Sequence, residues 1–177
     1  MIRARCTAAG LVLLLGLAGC AGKPSEVATR TSSTEGNAPT ADVLTWQQAK
    51  TRTQAMELEI ADSMPEGKVT KIDQAATGIL INCDDPLVNW HGATTVTLDA
   101  GTEPEALVRA LEAEYRDSRF DIRTRTAPAG HYEVQLRSPD TAEIYLIAEG
   151  FDPDTIRIAS GSECFVLPEE EFMGGDF

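Results

Sequence analysis

Histidine occurs twice, as His91 and His131, and aromatic residues make up only 6% of the chain. The G-x-S-x-G, P-loop, G-x-G-x-x-G and H-E-x-x-H patterns are absent, so the sequence carries no signature of a hydrolase, a nucleotide binder or a zinc peptidase. Basic residues are outnumbered, with 15 Lys+Arg against 28 Asp+Glu and a net charge of -13. A chain this acidic is repelled by nucleic acid and by anionic headgroups unless a basic patch is segregated on one face. The densest basic stretch is only Arg119, Arg123 and Arg125, so nucleic acid is excluded as a partner. Long apolar runs are missing too. The richest, residues 11–17, falls well short of the ~20 residues that cross a bilayer.

That short run is informative for what surrounds it. Arg3 and Arg5 precede it and Leu17-Ala18-Gly19-Cys20 closes it, the charged n-region, short h-region and small-residue cleavage site of a secretory signal. The site resembles a bacterial lipobox. The resemblance implies that Cys20 receives a diacylglyceryl thioether, that the acylated (palmitate-bearing) cysteine becomes the first mature residue, and that 1–19 is a discarded signal peptide. It further implies a lipid-anchored protein on the extracytoplasmic face of the cell membrane. Losing 1–19 removes two of the 15 Lys+Arg and none of the 28 Asp+Glu, moving the charge from -13 to -15. Residues 20–40 read as a flexible tether, rich in Ser, Thr, Gly and Pro, with an r.m.s. reach of roughly 25 Å. Residues 41–177 read as a single domain.

Cys6 leaves with the signal and Cys20 takes the lipid, so Cys83 and Cys164 remain as the one pair in the domain. In an oxidising envelope these are expected to form a disulfide. A zinc site built from these two and the two histidines is the weaker alternative, because no C-x-x-C or H-x-x-x-H spacing supports it.

Apolar positions Val43, Trp46, Ala49, Thr53, Met56, Ile60 and Met64 predict a helix over about 42–63, capped by Thr40 or Asp42 and stopped by Pro65. The period then changes to two. Val69 and Ile72 mark a short extended piece, Ile79, Ile81 and Cys83 the apolar face of a strand, and Trp90–Leu98 a second strand forming an antiparallel hairpin with it. Thr102 and Glu105 read as a capping box around Pro104, opening a second helix buried through Leu107, Ala110, Leu111 and Tyr115. Four strands follow, at 120–125, 131–137, 142–149 and 155–160, with a terminal piece at 163–167. Ile144–Ala148 is apolar throughout and is expected to be central. The acidic tail around Glu169–Glu171 is expected to fray. The order α-β-β-α-β-β-β-β predicts an α+β domain, a mostly antiparallel sheet of about six strands with two helices on one face. The strand Ile79–Cys83, Trp90-His91-Gly92 with Val96 and Leu98, the capped helix, and Cys164-Phe165-Val166-Leu167-Pro168 together resemble small, uncharacterised lipoproteins of actinobacteria. That resemblance implies no activity, no cofactor and no site residues.

Among chemical candidates, His91 and His131 fall on polar strand faces and are expected to be solvated. Asp84-Asp85 and Asp152-Pro153-Asp154 read as turn formers; as calcium ligands they lack an EF-hand spacing. The expectation is a non-catalytic binding or scaffolding module meeting an envelope protein, without cofactor or metal. The alternative is a solute-binding lipoprotein with an apolar pocket between helices and sheet, lined by Trp90, Phe120, Tyr132 or Tyr145. Mass spectrometry of the native N-terminus checks the anchor: the expected species begins at an acylated Cys20, and a chain retaining Met1 contradicts it.

Overall fold

The computed structural model describes residues 44–177, which lie within one compact unit. Cys20, the signal peptide, the tether and the caps expected at Thr40 or Asp42 fall outside the described residues. The elements, in chain order, are α1 (Trp46–Asp62), β1 (Val69–Gln74), β2 (Ile79–Asn82), β3 (Leu87–Leu98), α2 (Pro104–Tyr115), β4 (Asp121–Thr126), β5 (Tyr132–Arg137), β6 (Ile144–Glu149), β7 (Thr155–Gly161) and β8 (Phe165–Val166).

All eight strands belong to one antiparallel sheet, ordered β1-β3-β7-β6-β5-β4, with β2 and β8 also paired to β3. β3, 12 residues long, explains the two extra strands. On one side its second half pairs with β1 and its first half with β2; on the other side β7 is followed by β8. Ala75 and Ser162 bridge these breaks with backbone bonds to Ala93 and Trp90. Six lanes therefore accommodate eight strands. α2 carries the chain from the end of β3 to the far edge at β4, from which the meander walks back until β7 docks on β3. β6 is internal, as its apolar run predicts.

Both helices cover the same face. α1 packs on β1, β3 and β7, and α2 on β5, β6 and β7. The main core joins Met56, Ile60, Val108 and Leu111 of the helices to Val96, Val134, Leu136, Tyr145, Ile147, Ile156 and Ile158 of the sheet. A second cluster, around Trp90, holds Ala49, Leu80, Val88, Phe165 and Phe177. The Trp90 indole lies so close over Gly92 and Gly78 that a Cβ at either position would meet its ring within 3 Å.

Between the clusters lies Glu57, with 0% exposure. One carboxylate oxygen accepts from Thr94 Oγ1 (2.7 Å) and Gln74 Nε2 (3.0 Å), the other from the Ser160 hydroxyl. Three neutral donors from β1, β3 and β7 thus satisfy a carboxylate that burial would otherwise penalise heavily.

Several local expectations are corrected. α1 begins three to four residues later, at a capping box in which Thr45 Oγ1 accepts from Gln48 N–H and Gln48 Oε1 from Thr45 N–H. α2 has no such box. Pro104 holds N1 and pushes Glu103 into extended backbone as the N-cap, while Thr102 closes a turn back to Asp99. The faces of β2 are inverted: Leu80 opposes Trp90 and is buried, leaving Ile79 and Ile81 at 56% and 42% exposure. β3 starts at Leu87, directly after Pro86, rather than at Trp90. The tail does not fray. Phe177 is buried, exchanges backbone hydrogen bonds with Gly78, and receives the edge of the Trp46 ring at 5.3 Å, while Trp46 Nε1 donates to Glu171.

The expected disulfide is present: Cys83 and Cys164 are bonded with Cα atoms 6.5 Å apart, tying the end of β2 to the start of β8. Closing a loop of this sequence separation, 81 residues, contributes roughly 4.5 kcal/mol by chain entropy.

Glu57→Leu is expected to destabilise the fold by roughly 2–4 kcal/mol, because three buried donors lose their acceptor. Glu57→Gln, whose amide oxygen still accepts, is expected to do less. Urea denaturation midpoints decide, and a neutral Leu variant contradicts this account.

Candidate functional site

The four aromatics expected around a pocket between helices and sheet do not meet there. Trp90 and Tyr145 are fully buried and belong to different clusters. Phe120 is also buried, edge-on to Tyr145 at 5.9 Å. Tyr132 sits at the margin, its hydroxyl donating to Glu112 (2.6 Å) with the Arg109 guanidinium 3.7 Å over its ring. These large apolar surfaces are worth most where they displace water between layers, so Trp90 and Tyr145 fill the core, and of the four only Phe120 also borders a hollow, of about 450 Å³ between α2 and β4.

That marginal hollow is polar and is bordered also by Glu112, Arg116 and Thr124, whereas two adjoining hollows lie on the opposite, uncovered face of the sheet. Its composition follows from the period of two: with Ile156, Ile158 and Ser160 turned toward the helices, Arg157, Ala159 and Gly161 of β7 turn away. The pairing register then sets rows across the face. One runs Asp73, Thr95, Arg157, Ala148, Glu133, Arg125; the next brings Ala93, Ala159, Leu146 and Gln135 side by side. A hollow of about 510 Å³ is bordered by Asp73, Thr77, His91, Ala93, Thr95 and Arg157. A second, of about 420 Å³ and more apolar, is bordered by Pro128, His131, Leu146, Ala148, Phe151 and Arg157. Arg157 belongs to both.

The charges on this face are mostly committed. Asp73 pairs with Lys71, Glu133 with Arg125, and Glu149 Oε2 with His131 Nδ1 at 2.9 Å. Arg157 pairs with no carboxylate among the described residues; its guanidinium instead stands 5.3 Å from the ring of Phe151, which is 90% exposed on the β6–β7 turn.

Neither histidine is simply solvated. His131 is oriented by Glu149, two residues that lie far apart in sequence but are brought together where β5 and β6 pair. The hollow beside them is lined by no serine, threonine or cysteine, so this His–carboxylate pair has no nucleophile to activate there. His91 is half-buried, its Nε2 3.0 Å from Asn89 Oδ1. Burial holds its imidazole below the ordinary value, against a smaller upward influence of the Ser160 backbone.

The aspartate pairs stand at opposite ends of β3. Asp84-Asp85 precede its first residue, and Asp154 O accepts from Leu98 N–H at its last. Asp154 occupies the left-handed region at φ 56, which Asp tolerates in turns. Among the described residues no three His, Cys, Asp or Glu side chains gather into a metal-binding group, and no helix is long and apolar enough to cross a membrane. No family model, curated protein or solved structure matches the chain.

Arg157, Glu149 and Phe151 were not among the sequence candidates. A usable signal existed for the first, a lone cation between Ile156 and Ile158 in an apolar strand.

Below about pH 6.5 the unfolded chain protonates His91 more readily than the folded one, so folding stability falls as pH drops. His91→Gln is expected to flatten this acid-side slope between about pH 6.5 and 5. Thermal denaturation across that range checks it, and an unchanged slope contradicts it.

Proposed function

We propose that the chain is a lipid-anchored envelope lipoprotein whose domain is a non-catalytic binding module, and that it binds through the uncovered face of its sheet. The observation that carries this reading is the asymmetry of the two faces. Two helices cover one face, leaving there a polar hollow of about 450 Å³ at the α2–β4 margin, whereas the other lies open along its middle over adjoining hollows of about 510 and 420 Å³, within the size range of ligand sites. Of the exposed large apolar side chains, Ile79, Ile81, Val166 and Phe151 lie toward or beside that face, and Leu58 and Phe172 elsewhere.

For the solute-binding alternative, the more apolar hollow lies outside the sheet, and the one at the α2–β4 margin, bordered by Phe120, is polar. An enzymatic role gains a His–carboxylate pair but no nucleophile beside it, so binding is the reading the site supports better. Anchoring through Cys20 and the tether would hold the open face within the extracytoplasmic space, where an envelope component or solute can reach it.

Hydroxyl-radical footprinting tests the reading. In native envelopes, Ile81, Leu146 and Phe151 are expected to be protected relative to the purified chain, while Leu58, exposed on α1, reacts equally in both. Protection of Leu58 with no change on the open face overturns it.

A further inference from the structure

We infer that the hollow beside Arg157 is a site for a small organic monocarboxylate with an apolar, preferably aromatic body; this rests on the open-face reading above. The anion is specified by charge. Around Arg157 stand three carboxylates, Asp73, Glu133 and Glu149, each already engaged by Lys71, Arg125 or His131. Their pairing leaves the Arg157 guanidinium as a cation without a protein counter-ion among the described residues, at the junction of the two hollows. Arg123 and Arg137 on the same face also make no ion pair among the described residues, but only Arg157 borders the hollows, and its planar fork matches a carboxylate through two parallel hydrogen bonds.

The same surroundings select against more highly charged ligands. Three carboxylates close to one guanidinium repel a phosphate dianion more strongly than a monoanion. The body is specified by the walls: Pro128, Leu146, Ala148 and Ala159 offer apolar surface without donors, and Phe151 stands at the rim with its ring in water. The Arg157–Phe151 contact keeps the guanidinium beside this apolar compartment. A ligand carboxylate on Arg157 then directs its body along Leu146 and under Phe151, covering the most exposed aromatic ring of the domain.

The test uses 4-phenylbutyrate as probe and 4-phenylbutan-1-ol as its uncharged counterpart, titrated into the purified full chain by saturation-transfer NMR. Saturable binding of the acid is expected, with the alcohol at least about tenfold weaker. Arg157→Gln is expected to weaken the acid by about tenfold or more and leave the alcohol unchanged, and Phe151→Ala to weaken both. Phe151 is exposed and Arg157 half-buried, and an unchanged urea midpoint shows that the fold is retained. Arg157→Lys, which keeps the charge but not the fork, should fall between wild type and Gln. The inference is overturned if the acid shows no saturable binding up to about 10 mM, if the alcohol binds equally well, or if Arg157→Gln leaves the acid unaffected. Should any of these occur while open-face footprints persist in native envelopes, the ligand class is wrong and the binding-face reading stands; loss of the footprints removes that reading instead.

Discussion

A single buried carboxylate determines where the first helix lies. Glu57 reaches donors on β1, β3 and β7 at once, so α1 cannot rotate or slide along the sheet without stranding a carboxyl group in the core. Apolar contacts alone would not impose that, since Met, Ile and Ala on a helix accept many alternative packings at similar energy. A buried carboxyl group tolerates few, because each unmet hydrogen bond carries the full desolvation penalty. The Glu57 layer also separates the main core from the Trp90 cluster. Two clusters of ordinary size are thereby held in register by one polar contact, and the second is closed off by Phe177 and by the disulfide near its end.

The sequence could not display this arrangement. Periodicity places Thr53, Met56 and Ile60 on the buried stripe of α1, and nothing local marks Glu57, between them, as buried or names its partners. Those partners, Gln74, Thr94 and Ser160, lie on three strands, and only sheet register brings them under one helix turn. Alternation did locate the strands of the meander and the central position of β6. It failed at β2, where Ile79 and Ile81 outweigh Leu80 in apolar count, yet the register with Trp90 turns Leu80 inward. The six expected strands and the eight observed differ only because the lanes on either side of β3 are each broken once. The capping box was legible in form but misassigned: Thr102 fits the pattern, but Pro104 fixes the backbone at the next position, while Thr45-Trp46-Gln47-Gln48 makes the box.

The site was less legible than the fold for a related reason. Sequence reasoning gathered the aromatics because rings often line pockets, but a chain with few of them commits most to its core, and Trp90, Phe120 and Tyr145 all went there. What the open face presents is the complement of the core pattern: residues such as Ala93, Ala148, Ala159 and Arg157, unremarkable singly and informative only as rows across the paired strands. The disulfide was within reach of sequence because it needs only a pair and a compartment, whereas His131 and Glu149 required the pairing of β5 with β6 before their contact had meaning.

Charge connects the fold to its use. A net charge of -13 works against recognition of an anion over most of the surface. On the open face Asp73, Glu133 and Glu149 are each engaged by a neighbour, and Arg157, which borders both hollows, is not. Because each pair is formed across neighbouring strands or within one strand, the balance depends on register: a shift of β7 by one residue would turn Arg157 into the core and Ile156 or Ile158 outward. The interaction that forbids such a shift is again at Ser160, whose hydroxyl is held by Glu57. The polar layer on the covered side of the sheet thus fixes which side chains the uncovered side can offer.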